Sequence, residues 1–186
     1  MNYKKEYERW YISAEDADIA NQLRNMNEKE IEDAFYRDLE FGTGGLRGVI
    51  GAGTNRMNIY VVARATQGLC HYVLKHFDKE ERSVAISYDS RINSDVFARV
   101  AAEVFAANGI QVFIYPQLMP VPCLSFATRY LHCAAGVMIT ASHNPSKYNG
   151  YKVYGADGCQ ITNMEANEIL TEINKLICND FCQEIH

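Results

Sequence analysis

Ser142 sits where an apolar run gives way to a polar turn, in the order Thr140-Ala141-Ser142-His143-Asn144-Pro145. A hydroxyl, an imidazole and an amide are thus gathered on one loop, and Pro145 stiffens its backbone. Tyr148-Asn149-Gly150 then turns the chain and brings Lys152 back nearby. These groups together suit a nucleophile or phosphoryl carrier surrounded by donors for its oxygens. The same residues also read as plain turn chemistry, because Ser, Asn and Pro favour turns for local hydrogen-bond reasons.

A second segment, Gly42-Thr43-Gly44-Gly45-Leu46-Arg47-Gly48, has the composition of an anion site. Glycines lacking a Cβ let backbone N–H groups approach an anion, and Arg47 adds a bidentate fork. Thr43, Gly44 and Gly45 are therefore candidate phosphate contacts, although a glycine-rich turn needs the same residues. The segment is not a dinucleotide fingerprint, since Arg47 stands at the third glycine position and a helix, not a strand, precedes it. No Gly-Lys-Ser/Thr follows, so it is not a Walker A loop either. A third segment, Asp89-Ser90-Arg91, closes the β-rich run Ser83 to Tyr88. An Asp–Arg pair bracing neighbouring loops fits it better than direct catalysis, and Arg91 is also a candidate phosphate ligand.

Positioning these loops falls to the elements between them. Residues 1–40 read as a polar helical arm, with good helix formers from Glu15 to Met26 and from Glu28 to Leu39. Asn27 and Glu30 resemble a capping box, and Ile31, Ala34, Phe35 and Leu39 form one apolar stripe. Asn58 caps an expected helix from Ile59 to about Phe77. Strands are expected at Ser83–Tyr88, Ile110–Tyr115, Ala135–Thr140 and Gly150–Tyr154. Helices are expected at Ser94–Asn108, Pro122–Leu131 and Asn163–Cys178. Strands alternating with helices in this way predict an α/β fold whose mostly parallel sheet is covered on both faces. The apolar runs IQVFIY and AGVMIT suit strands buried on both sides. Ligands of such sheets sit beyond the carboxyl ends of strands, where Asp89-Ser90-Arg91 and the Ser142 loop both lie.

Composition narrows the class further. The 186 residues are 48 % hydrophobic and 22 % charged, enough apolar material for a core, and the expectation is a single domain over 1–186 with arm 1–40 and α/β core 41–186. A net charge of −5 argues against a nucleic-acid partner. The polar start lacks the apolar stretch of a secretory signal, and no run approaches the roughly 20 residues that span a bilayer. The six cysteines show no paired metal-ligand spacing, and Cys178 and Cys182 would share a helix face. A cytoplasmic protein with reduced thiols and no membrane partner is the expectation.

GTGGLRG, YDSR, and TASHNP followed by YNGYKVY together resemble the α-D-phosphohexomutase family, in its N-terminal domain. The polar arm leading into DLEFGTGGLRG and then GAGTNRMN is most like the branch of phosphoglucomutases related to phosphopentomutases. The resemblance runs from about Tyr7 to Ile173. It implies a three-layer α/β/α core with a mixed sheet, and interconversion of glucose 1-phosphate and glucose 6-phosphate through glucose 1,6-bisphosphate. It implies that Ser142 carries the phosphoryl group and that Lys152 is a general acid/base. Arg47 would lie near the phosphoserine, with His143 and Asn144 flanking the transfer site. A phosphoserine carries about −1.5 to −2 charges, which Arg47 and Lys152 would offset. A Mg²⁺ ion is also implied, with one ligand from the Ser142 phosphate oxygen. The family's Asp-x-Asp-x-Asp metal loop, its sugar-recognition loop and its distal phosphate loop have no match here. The expectation is therefore that this chain carries the phosphoryl group but needs the family's C-terminal domains for turnover on a hexose phosphate. Gly158-Cys159 departs from the branch, which more often has a second glycine and a proline-containing turn there. Phosphomannomutase or phosphopentomutase activity, or a non-catalytic sugar-phosphate-binding fragment, are the alternatives. A serine hydrolase fits poorly, because Ser142 lacks the G-x-S-x-G elbow and His143 is badly placed as its base.

Overall fold

A computed structural model describes residues 2–176. Three helices lead the chain, α1 (Tyr3–Ser13), α2 (Ala17–Asn25) and α3 (Glu28–Phe35). Side chains set all three starts: Asn2 accepts from the Lys5 amide, Asp16 from Ile19, and Asn27 from Lys29 and Glu30. Glu30 returns a bond from the Asn27 amide, so the expected capping box is present. The helix α3 stops at Phe35, short of Leu39, because tertiary bonds replace the helical ones. Leu39 N–H donates to the Thr54 carbonyl, and the Thr54 hydroxyl donates to the Arg37 carbonyl.

The arm is welded to the rest by aromatic packing. Trp10, 4 % exposed, meets Phe35 and Tyr60 edge-on at ring separations of 5.6 and 5.3 Å. The Tyr60 hydroxyl accepts from the amides of Glu15 and Asp16. Trp10, Leu23 and Phe35 thereby join the same buried cluster as the sheet.

Five strands form that sheet: β1 (Leu46–Val49), β2 (Ser83–Tyr88), β3 (Gln111–Ile114), β4 (Ala135–Ile139) and β5 (Tyr148–Gly155). Their spatial order is β1-β5-β4-β2-β3. Pairs β4–β2 and β2–β3 are parallel, while β5 runs antiparallel to both β4 and β1. Four strands thus point one way and β5 alone opposes them, a mixed and mostly parallel sheet. Helices α4 (Ile59–His76), α5 (Ser94–Ala107), α6 (Val121–Tyr130) and α7 (Asn163–Lys175) complete the layers.

Alternation along the strands decides which face each helix covers. Val84, Ile86, Val137, Ile139, Tyr151 and Val153 pack in the cluster that holds Val62, Leu69, Phe97, Phe105 and Ile169 of α4, α5 and α7. Ala85, Met138 and Tyr154 pack with Leu124 and Ala127 of α6 on the other side. Three layers result, as expected.

Three expectations need correction. The segment after Gly45 forms the edge strand β1, although its glycines concealed any strand pattern. Strand β3 is the opposite edge and only partly covered, so IQVFIY is not buried on both sides as AGVMI is. Strand β5 is longer than Gly150–Tyr154, because its antiparallel partners on both sides extend the ladder. The expected end of the last helix at Cys178, and Cys182 beyond it, lie outside the described residues.

Candidate active site

Parallel pairing of β2 with β4 brings Tyr88 opposite Ile139, so the loops leaving their carboxyl ends emerge side by side. The Asp89 amide donates to the Ile139 carbonyl at 3.2 Å. Strand β5 then returns beside β4, with Lys152 opposite Met138. Lys152 Nζ donates to Ser142 Oγ at 2.7 Å. The serine is exposed. A cavity of about 200 Å³ bordered by Asp38, Phe41, Arg64 and Ile173 includes no residue of this loop.

Ser142 adopts φ 54°, the left-handed region that a residue with a Cβ enters only when its surroundings hold it there. Its amide donates to Thr140 Oγ1 at 2.9 Å. Arg91 braces the loop from beneath. Its Nη1 donates to the carbonyls of Pro145 and Tyr148, and its Nη2 to those of Ser142 and Asn144. All four Nη hydrogens are thereby spent on backbone oxygens, leaving none for a phosphate. Nε faces Asp89 Oδ2 at 3.6 Å.

Arg47 lies on β1 opposite Gly150, exposed, and its Nη1 donates to Asn144 Oδ1 at 3.2 Å. It makes no other side-chain hydrogen bond among the described residues. Lys152 is half-buried, and burial lowers its pKa from the ordinary lysine value. The Arg47 cation lowers it further, while the Asp89 carboxylate acts in the opposite sense. A neutral amine, able to take a proton from a hydroxyl, is thereby made more accessible. His143 is exposed and makes no side-chain hydrogen bond among the described residues.

Gly42 to Gly45 form a tight turn closed by Gly45 N–H to the Gly42 carbonyl at 2.7 Å. Gly45 has φ +72°, and a Cβ there would stand 1.8 Å from the Tyr151 carbonyl oxygen. Only glycine fits, and its task is to let β1 close on β5 next to Lys152. Thr43 and Gly44 are exposed at the tip of the turn, with no hydrogen bond to the serine loop.

Sequence reasoning named Thr140 and Asn149 as parts of the loop and its turn but gave neither them nor Ser94 a bonding role. Asn149 is fully buried, and its Nδ2 donates to the Ile92 carbonyl and to Ser94 Oγ. For Thr140 the available signal was a polar residue just past an apolar strand. Among the described residues no group of three or more His, Cys, Asp or Glu side chains could hold a metal ion. Asp89, the carboxylate nearest the loop, is occupied by Thr140, Ser94 and Arg91. A phosphorylated Ser142 could offer one ligand oxygen, but the described side chains do not complete a Mg²⁺ site.

Fold and site together define an α/β/α domain that presents an exposed serine hydroxyl on a strand-end loop with an amine hydrogen-bonded to it. The family described as phosphoglucomutase/phosphomannomutase, alpha/beta/alpha domain I, matches residues 38–179. A phosphoglucomutase of Staphylococcus haemolyticus (strain JCSC1435) is 40% identical over 168 residues, 90% of this chain and 30% of its own length. A phosphopentomutase of Mus musculus is 41% identical over 150 residues, 77% of this chain and 24% of its own. A crystal structure from Thermus thermophilus, assigned as a phosphomannomutase, superposes with a TM-score of 0.67 at 34% identity, covering 74% of this chain and 30% of that one. The chain belongs to the phosphoglucomutase/phosphomannomutase family, in the region of its domain I. It spans about 30% of the length of the phosphoglucomutase relative it matches.

Proposed function

We propose that this chain is the phosphoserine-bearing domain I of a phosphoglucomutase, an intramolecular phosphotransferase that interconverts glucose 1-phosphate and glucose 6-phosphate. The carrying observation is the 2.7 Å contact between Lys152 Nζ and an exposed Ser142 Oγ. In the loading direction, the neutral Lys152 amine takes the Ser142 hydroxyl proton as Oγ bonds to a phosphorus of glucose 1,6-bisphosphate. The bond from that phosphorus to the sugar oxygen breaks, and the sugar oxygen takes up a proton. In the return direction, a sugar hydroxyl oxygen bonds to the phosphoserine phosphorus and gives up its proton, the bond from phosphorus to Oγ breaks, and Lys152 gives Oγ back its proton. Positioning and positive charge dominate such transfers, and Arg47 supplies charge to the equatorial oxygens. His143 and Asn144 border the place where the sugar hydroxyl must approach, with Thr43, Gly44 and Gly45 on the neighbouring turn.

Residues 1–186 are read as one domain, its arm sharing a buried cluster with the sheet. The Mg²⁺ ligands beyond the phosphoserine oxygen, and the sugar and distal phosphate contacts, are assigned to further domains of the longer enzyme. The four described cysteines are free, which supports a reducing, cytoplasmic setting, and no described helix is long and apolar enough to cross a membrane. A pentose phosphate is the second reading of the substrate, because the mouse phosphopentomutase is as similar as the staphylococcal phosphoglucomutase.

Intact-mass measurement after incubation with glucose 1,6-bisphosphate, followed by peptide mapping, tests the carrier role. One phosphoryl adduct on Ser142, lost in Ser142→Ala, is expected. The longer enzyme, which supplies the remaining ligands, is measured alongside, and an adduct on another residue, or none on that enzyme, overturns it.

A further inference from the structure

We infer that Thr140 and Asp89 are positioning residues, forming a one-way hydrogen-bond relay that holds Ser142 in its left-handed conformation with its hydroxyl on Lys152. The consequence for phosphoryl transfer rests on the phosphoserine reading above; the relay itself does not.

The directions of these bonds are forced by the donors and acceptors available. An ionised carboxylate can only accept, so Asp89 Oδ2 takes the hydrogen of the Thr140 hydroxyl at 2.5 Å. That hydroxyl has a single hydrogen, so only its lone pairs remain, and one of them receives the Ser142 N–H at 2.9 Å. On its other oxygen, Asp89 accepts the Ser94 hydroxyl at 2.9 Å and the Arg91 amide at 3.0 Å. Ser94 Oγ, its hydrogen also committed, accepts from Asn149 Nδ2 at 2.9 Å. The Asn149 amide cannot be turned around, because its Oδ1 accepts from the Gly150 N–H and its Nδ2 also serves the Ile92 carbonyl. Two chains of donors therefore converge on one carboxylate, from β5 through Asn149 and Ser94, and from the serine itself through Thr140. Thr140, Ser94 and Asn149 are all buried.

Ser142 needs such a hold. At φ 54° its Cβ lies in a disfavoured region, and without the Thr140 acceptor the backbone is free to relax. Relaxation would swing Oγ off the lysine amine. The Arg91 brace fixes carbonyls of the loop but leaves the Ser142 amide untouched, so Thr140 is the group that specifies this residue's conformation.

Thr140→Val, Thr140→Ser and Asp89→Asn in the whole chain separate these roles. Amide hydrogen exchange reports Ser142, and mass spectrometry reports phosphoryl uptake from glucose 1,6-bisphosphate. Thr140→Val is expected to speed Ser142 amide exchange and to slow uptake by about tenfold or more. Thr140→Ser, which keeps the hydroxyl, is expected to restore both. Asp89→Asn, whose amide can also donate and so no longer forces the direction of the Thr140 hydroxyl, is expected to speed Ser142 exchange as well. Wild-type exchange in Thr140→Val or in Asp89→Asn, or no rescue by Thr140→Ser, overturns the inference. Exchange needs no sugar phosphate. A longer wild-type enzyme that takes up no phosphoryl group overturns the phosphoserine reading instead, and leaves exchange to decide the relay.

Discussion

Ser142 and Lys152 are ten residues apart in sequence, and their side chains meet at 2.7 Å because β4 and β5 are antiparallel neighbours. Register puts Lys152 beside Met138, on the strand that carries Ser142 out of the sheet. The meeting of hydroxyl and amine is a product of strand pairing and not of loop flexibility.

Lys152→Met keeps most of the side-chain stem and removes the proton carrier. Phosphoryl uptake by Ser142 is expected to fall by about 10²- to 10⁴-fold, the range for losing a general base. Rapid-quench measurement of a single loading event checks this. A rate near wild type would remove Lys152 from the chemistry.

Arg47→Gln tests the electrostatics. Burial is the first cause of the depressed Lys152 pKa and Arg47 the second. Removing the guanidinium therefore raises that pKa, so a higher pH is needed to reach the same share of neutral amine. The rising limb of the uptake rate against pH is expected to move to higher pH. A limb that stays in place or moves down would contradict the assignment.

Gly45→Ala is expected to destabilise the chain by about 2 kcal/mol or more, since the new methyl meets a backbone oxygen and φ is positive. Urea unfolding measures it. Gly44→Ala, where nothing stands within 4 Å of the added carbon, is expected to change stability by less than about 1 kcal/mol.

Arg91→Lys keeps the charge but cannot reproduce a planar fork serving four carbonyls. We expect a loss of about 1–3 kcal/mol in stability from carbonyls left without donors. Uptake is expected to fall as well. Unchanged phosphoryl uptake in a folded Arg91→Lys variant would show that the loop needs no such brace.

Much of the framework was legible from residue patterns. Ser83–Tyr88 is a strand with the expected ends, and Asn27 with Glu30 and Asn58 cap the helices they were expected to cap. These features are local, written in alternation or in a side chain three residues from its partner. Strand β1 was hidden because glycines on both sides interrupt the short β signal of Val49 and Ile50, and its pairing depends on β5, about a hundred residues away. The partial exposure of β3 was hidden for a related reason. Apolar content shows that Val112 and Phe113 want cover, but whether a further strand lies beyond them is a matter of sheet order.

The site divides in the same way. Ser142, Lys152 and Arg47 could be singled out by type and position. That Arg91 spends its donors on carbonyls could not, since this requires knowing that the loops after β2 and β4 run side by side. Thr140 gave less warning still, as a threonine ending a strand is ordinary until its hydroxyl is seen between an amide and a carboxylate.

Among the described strands only β5 runs against the others, and it forms a hairpin with the strand leading to Ser142. Hydroxyl and amine consequently travel as one piece. Under the proposed function, the distance that governs proton transfer is therefore built into a single hairpin and does not depend on how the sugar phosphate is delivered.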